Sequence, residues 1–132
     1  MTPQALAATH AAAFGADDAW PAEDFARYLA DPKVTIHGDA GCFAVIRRIG
    51  DEAEVLTLAT HPDRQGQGAA TAMLATALAE EAARGVRTLF LDVAADNAPA
   101  IALYARAGFT PFSERRNYYR NAVTALCLHR RL

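Results

Sequence analysis

The stretch His61 to Leu74, HPDRQGQGAATAML, admits few folds. Before it, the residues alternate and are rich in branched side chains, the period-2 pattern of strands. From Gly68 onward, Ala70, Met73, Leu74, Ala77 and Leu78 recur at helical spacing. A strand therefore passes into a helix through a turn that holds Gly66 and Gly68. Glycine opens backbone angles closed to other residues and lets a ligand approach the main chain. The first N–H groups of a helix have no partner within it, so such a turn is a ready anion site. The turn reads as a seat for a diphosphate, in an enzyme whose cofactor carries one. The alternative is a tight strand-to-helix turn with no ligand. No Gly-Lys-Ser/Thr follows, which excludes the nucleotide-triphosphate loop, and the glycine spacing excludes the dinucleotide fingerprint.

The rest of the chain divides cleanly around this turn. Residues 3 to 14 read as a helix capped by Thr2, opened by Pro3 and ended by Gly15, with His10 on an alanine-rich surface. A second helix, Ala22 to Ala30, follows Trp20-Pro21, carries Phe25, Tyr28 and Leu29 on one side, and stops at Asp31-Pro32. Three strands, Val34 to His37, Cys42 to Ile49 and Glu52 to Thr60, are joined by short turns into an antiparallel meander. The helix from Gly68 ends at Gly85. Arg87 to Ala94 is largely apolar on both faces, with Phe90 and Asp92 sharing one, and is expected to be central in its sheet. Asp96-Asn97 opens a helix over Ala98 to Ala107, closed by Gly108, and Thr110 to Tyr119 with Ala122 to Leu128 form a hairpin. The order ααβββαβαββ predicts an α/β (α+β) fold: a mixed, mostly antiparallel sheet with helices on both faces.

Size and charge narrow the classes. A chain of 132 residues is expected to be one domain, residues 1 to 132, with enough buried surface to need no staples. A net charge of −2 gives no sign of nucleic-acid or membrane binding, and His129-Arg130-Arg131 reads as a solvated chain end. Cys42 and Cys127 lie far apart in apolar runs, so buried thiols are expected rather than a disulfide or a metal site. No basic segment precedes an apolar one at the start, and the cytoplasm is the default. Nothing in the sequence signals an oligomeric state.

The motifs after the turn sharpen its meaning. Gln65, Gly68 and Ala70 fit Gln/Arg-x-x-Gly-x-Gly/Ala. After the next strand comes Asn97 at a helix start, followed by Ala100, Leu103, Tyr104, Gly108 and Phe109 in the pattern A-x-x-L-Y-x-x-x-G-F. Over about residues 35 to 120 the chain resembles the GNAT superfamily of acyl-CoA-dependent N-acyltransferases. Within it, Glu54 to Thr60 and Arg115-Arg116-Asn117-Tyr118-Tyr119 look most like the bacterial ribosomal-protein-alanine N-acetyltransferases. Two departures bear on the acceptor side. The first strand usual before the N-terminal helix is missing or very short, and the acidic turn usual after Tyr119 is absent.

The resemblance implies acetyl-CoA as co-substrate, no metal, and a sheet splayed between the family's fourth and fifth strands, here Glu52 to Thr60 and Arg87 to Ala94. It implies that Leu58, Ala59 and Thr60 offer backbone groups to the pantetheine arm. The amides of Gln65, Gly66, Gln67, Gly68, Ala69, Ala70 and Thr71 would then hold the diphosphate, where the helix dipole adds about 0.3–1 kcal/mol. Arg64 either adds to this or is a solvated arginine. Asn97 either bonds the arm, caps its helix, or does both. Tyr104 matches the general-acid position, against a plain packing role. For the base there are two candidates. Glu54 lies on the fourth strand, and Asp92 on the fifth, where its short side chain would act through water; Glu54 ranks slightly first.

The expected reaction is direct attack of a neutral amine on the thioester. Deprotonating a lysine amine at pH 7 costs roughly 4.6 kcal/mol, against about 1 for an α-amine, so weakly placed carboxylates favour a peptide N-terminus. The family-based acceptor is the N-terminal alanine of a ribosomal protein. Two alternatives stand beside it: a small-molecule amine acetyltransferase, for which no acidic cleft is evident, and a non-catalytic acyl-CoA-binding sensor.

Overall fold

The computed structural model of the chain describes residues 1–119 and 122–132. Helix α1 (Pro3–Phe14) starts where the Ala5 N–H donates to Thr2 Oγ1 at 3.1 Å, with Pro3 in the first turn. Helix α2 (Ala22–Ala30) turns Phe25 fully inward and leaves Leu29, at the edge of the expected stripe, exposed. Strands β1 (Val34–Asp39), β2 (Cys42–Ile49) and β3 (Glu52–Thr60) form the expected meander. A 3₁₀ turn over Pro62–Arg64 leads into α3 (Ala69–Ala83), then β4 (Thr88–Ala94), α4 (Ala98–Arg106), β5 (Thr110–Arg115) and β6 (Ala125–Arg131).

The six strands lie in the order β1-β2-β3-β4-β6-β5. Among the described residues only β3 and β4 run parallel, since α3 crosses between them; the remaining pairs are antiparallel. One face carries the core under α3 and α4, built on Ala44, Ile46, Val55, Leu74, Leu89, Leu91 and Leu103. The other face is covered by α1 and α2, where Leu6 and Phe25 meet Phe43 and Val45. The α/β architecture with helices on both faces is the expected one.

The final hairpin differs from its expected bounds. Strand β5 ends at Arg115 rather than Tyr119, because Arg116 and Asn117 turn and Asn117 has φ +55°. Strand β6 starts later than Ala122 and continues to Arg131. The cluster His129-Arg130-Arg131 is therefore strand, not a solvated end. Arg131 pairs with Thr88, and Arg130 Nη1 donates to the Ala107 carbonyl at 2.6 Å. The tip, where an acidic turn was expected to be absent, includes residues 120–121, outside the described residues.

One irregularity positions the site. Val45 faces Thr57 and Ile46 faces Val55, which leaves Leu56 as an extra residue on β3. A bulge bends its strand and breaks the ladder. Pairing between β3 and β4 accordingly stops at Val55 and Leu91. Beyond that point the two central strands part.

Candidate active site

The end of β3, the turn before α3 and the start of α4 line a cavity of about 500 Å³. Leu58, Ala59, Thr60, Gln65, Gly66, Gly68, Ala69, Ala70, Thr71 and Asn97 all line it. Gln67, expected among them, is not in the lining; its Nε2 donates to the Asp63 carbonyl at 3.0 Å and braces the turn instead. Gln65 does similar work, donating to the Thr60 carbonyl at 3.1 Å. Gly66 and Gly68 have φ +74° and +76°, and a Cβ at either would meet no protein atom within 4 Å. Within the protein itself, glycine is needed here for the backbone angle and not for room. Gly68 precedes α3 and no side chain caps that helix. The first-turn N–H groups, Ala69 to Thr71, thus have no helical or side-chain cap, the donor set a diphosphate requires. Arg64 lines the same cavity and is paired with Asp39.

A second cavity, about 620 Å³, adjoins the first and shares Phe14, Leu58, Asn97, Ala100 and Leu103 with it. Asn97 Oδ1 accepts the Ala100 N–H at 3.2 Å, so it caps α4 and keeps Nδ2 as a donor. Tyr104 stands on α4 at 7% exposure, its ring edge-on to Phe109. Burial, reinforced by neighbouring Tyr119, pushes its phenol up to about 12, so the proton stays on the oxygen through the neutral range. Asp92 lies on β4 in register with Cys127, 3.7 Å from Arg115 Nη1, and lines this same cavity.

Glu54 is placed differently. It sits in register with Phe90 before the strands part, 3.6 Å from Arg47 Nη2. It lines a separate cleft of about 370 Å³ on the open sheet face, which Asp92 also borders. Of the two carboxylates, only Asp92 reaches the cavity that holds Tyr104.

Several residues of this cavity were not foreseen. His10, expected on the surface, is 2% exposed and packs among Phe14, Trp20 and Phe25 at ring distances of 4.6, 5.2 and 5.7 Å. The Trp20 N–H donates to its Nδ1 at 3.1 Å, and its Nε2 lies 3.0 Å from Thr57 Oγ1. Burial pushes its pKa down to about 4. An alanine-rich helix shows no apolar stripe, so periodicity could not reveal that this face is covered. Asp17 and Asp18, in the connection between the first two helices, line the cavity with Asp92, although no acidic cleft was evident from the sequence. Tyr119, carried by the Arg115–Tyr119 motif, lines it too, and Asp92 contributes to pushing its phenol up to about 12 after burial.

Residues 10–109 match the acetyltransferase (GNAT) family. The ribosomal protein bS18-alanine N-acetyltransferase of Escherichia coli K12 is 42% identical over 105 residues, covering 76% of this chain and 70% of that protein. The N-alpha-acetyltransferase RimI of Mycobacterium tuberculosis is 36% identical over 126 residues, covering 89% and 78%. The crystal structure of the Escherichia coli ribosomal-protein-S18-alanine N-acetyltransferase superposes with a TM-score of 0.87 at 31% identity, over 98% of this chain and 86% of that one. Similarity of this extent, on a sheet that opens where a thioester arm would enter, makes the chain a member of the acetyltransferase (GNAT) family, with acetyl-CoA as its acetyl donor.

Proposed function

We propose that this enzyme acetylates the N-terminal α-amine of a protein, with the alanine of a ribosomal protein as the acceptor. The observation that carries the chemistry is that Asp92 and Tyr104 border one cavity, which adjoins the turn-side cavity. The acceptor class is supported by the Escherichia coli relative, named for a ribosomal-protein alanine. Such an acceptor belongs to the cytoplasm.

The residues divide the work by position. The turn before α3 and the edge of β3 hold and orient acetyl-CoA, which supplies an activated acetyl thioester. Asp92 takes the proton that the attacking amine releases, directly or through water, and Arg115 Nη1 lies 3.7 Å from its carboxylate. Tyr104 hands its proton to the sulfur as the C–N bond forms and the C–S bond breaks. An α-amine needs only about 1 kcal/mol to lose its proton at pH 7, a demand that a lone aspartate can meet. Asp92 is the better base than Glu54 because it shares the cavity with Tyr104.

Asp17 and Asp18 beside Asp92 also suit a small polycationic amine, the second reading. Thiol release from acetyl-CoA with an alanine-terminated ribosomal peptide, the same peptide with its α-amine blocked, and a polyamine separates the two. Turnover confined to the free N-terminus is expected. Preference for the polyamine would overturn the peptide reading, and tight acetyl-CoA binding with no amine consumed would mark a sensor.

A further inference from the structure

Thr57 sits one residue past the bulge of β3, and its side chain faces the cavity that holds Asp92 and Tyr104. Its hydroxyl has one contact that fixes its direction. The Trp20 backbone N–H donates to His10 Nδ1, so that nitrogen carries a lone pair and not a proton. The ring proton of the neutral imidazole must then be on Nε2, which donates to Thr57 Oγ1 at 3.0 Å. Thr57 accepts this bond, and its own hydroxyl proton is left to donate elsewhere. The ring cannot turn away, since Phe14, Trp20 and Phe25 pack around it.

We propose that Thr57 is a specificity residue whose hydroxyl donates to the first peptide carbonyl of the acceptor, and that His10 is the positioning residue that turns the hydroxyl toward it. The inference rests on the peptide reading above. In an N-terminal residue the carbonyl carbon is bonded to the same carbon as the α-amine. An amine brought to Asp92 therefore carries a carbonyl oxygen into the same cavity, where it needs a donor. Tyr104 is committed to the sulfur and Asn97 stands at the boundary with the cofactor cavity; of the remaining hydroxyls, Thr57 and Tyr119, that of Thr57 is the one His10 orients. A simple amine has no such oxygen, so Thr57 distinguishes a peptide N-terminus from a polyamine.

The test compares an alanine-terminated peptide with its isostere in which an E-alkene replaces the first peptide bond, for the wild-type enzyme and Thr57→Val. The loss of one neutral hydrogen bond is expected to lower kcat/KM on the peptide about five- to tenfold in Thr57→Val, mainly through KM. The wild-type preference for peptide over isostere narrows by the same factor, and Thr57→Ser restores it. His10→Leu, verified by its thermal transition, should narrow the preference likewise. Equal losses on peptide and isostere in Thr57→Val would overturn the assignment, as would an unchanged preference. If His10→Leu does not fold, the Thr57 variants carry the test alone. A wild-type enzyme that ignores both peptides and acetylates polyamines refutes the underlying peptide reading instead, an outcome visible before any variant is made.

Discussion

The proposed mechanism asks opposite roles of a tyrosine and an aspartate that line one cavity. Tyr104 is buried and keeps its proton to about pH 12, while Asp92 lies beside a guanidinium. Tyr104→Phe is expected to lower kcat about a hundredfold with acetyl-CoA affinity nearly unchanged, measured by steady-state kinetics and by calorimetric titration. An unaltered rate would remove Tyr104 as the acid. Asp92→Asn should cost more in kcat/KM than Glu54→Gln, because only the former borders the Tyr104 cavity. His10 makes a prediction about stability. Its folded pKa of about 4 lies below the ordinary 6.5, so the neutral form is favoured by folding. That stability is complete above pH 6.5 and is lost as pH falls through 4, up to about 3 kcal/mol. Urea unfolding at pH 7, 5.5 and 4 should show the decline in wild type, and a shallower one in His10→Leu.

Two elements depend on single glycines for different reasons. At Gly68 the constraint is the angle, φ +76°, with no atom in the way of a Cβ. Gly68→Ala should fold with a loss of about 1 kcal/mol, whereas Gly68→Glu should abolish acetyl-CoA binding by placing a carboxylate at the start of α3. Binding retained by Gly68→Glu would sink the diphosphate assignment. At Gly38, on β1, the constraint is space as well as angle. A Cβ there would stand 2.2 Å from the Cys42 carbonyl oxygen and 2.9 Å from Met73 Cγ. Gly38→Ala should therefore destabilise the protein by about 3 kcal/mol, read from chemical denaturation, by forcing the turn between β1 and β2 off α3.

Across the whole molecule, a buried charged cluster clamps α3 to the sheet. Glu81, with no exposure, meets His37 Nε2 of β1 at 2.9 Å, Arg48 Nη1 of β2 at 3.1 Å, and Nη1 of Arg84, the residue that caps its own helix, at 3.3 Å. Removing one partner leaves buried charge without compensation. Glu81→Leu should cost about 3–5 kcal/mol, and Glu81→Leu with Arg48→Leu should cost less than the two changes summed. Because the cluster lies at the opposite end of α3 from Gly68, kcat/KM well below the melting temperature should change less than twofold. Among the described residues, no helix is long and apolar enough to cross a membrane.

The local parts of this protein are written in its sequence because each depends on neighbours along the chain. Thr2 and Asn97 cap helices from the position before them, Gly66 and Gly68 supply a turn angle, and the change of period at Gly68 marks strand giving way to helix. The residues expected around the cofactor, Gln67 excepted, line one cavity, together with Phe14, Pro99 and Arg106, which were not expected there. Which carboxylate shares a cavity with Tyr104 was not legible. It turns on where β3 and β4 part, set by a bulge that appears only when β2 pairs with β3. His10 is the clearest case. Its role comes from Thr57, 47 residues away on another element. Helix and strand periodicities report which side of an element is apolar, and an alanine-rich helix leaves that signal weak. Only the packing of α1 against β3 decides that a histidine which reads as surface meets a hydroxyl in the cavity that holds Tyr104.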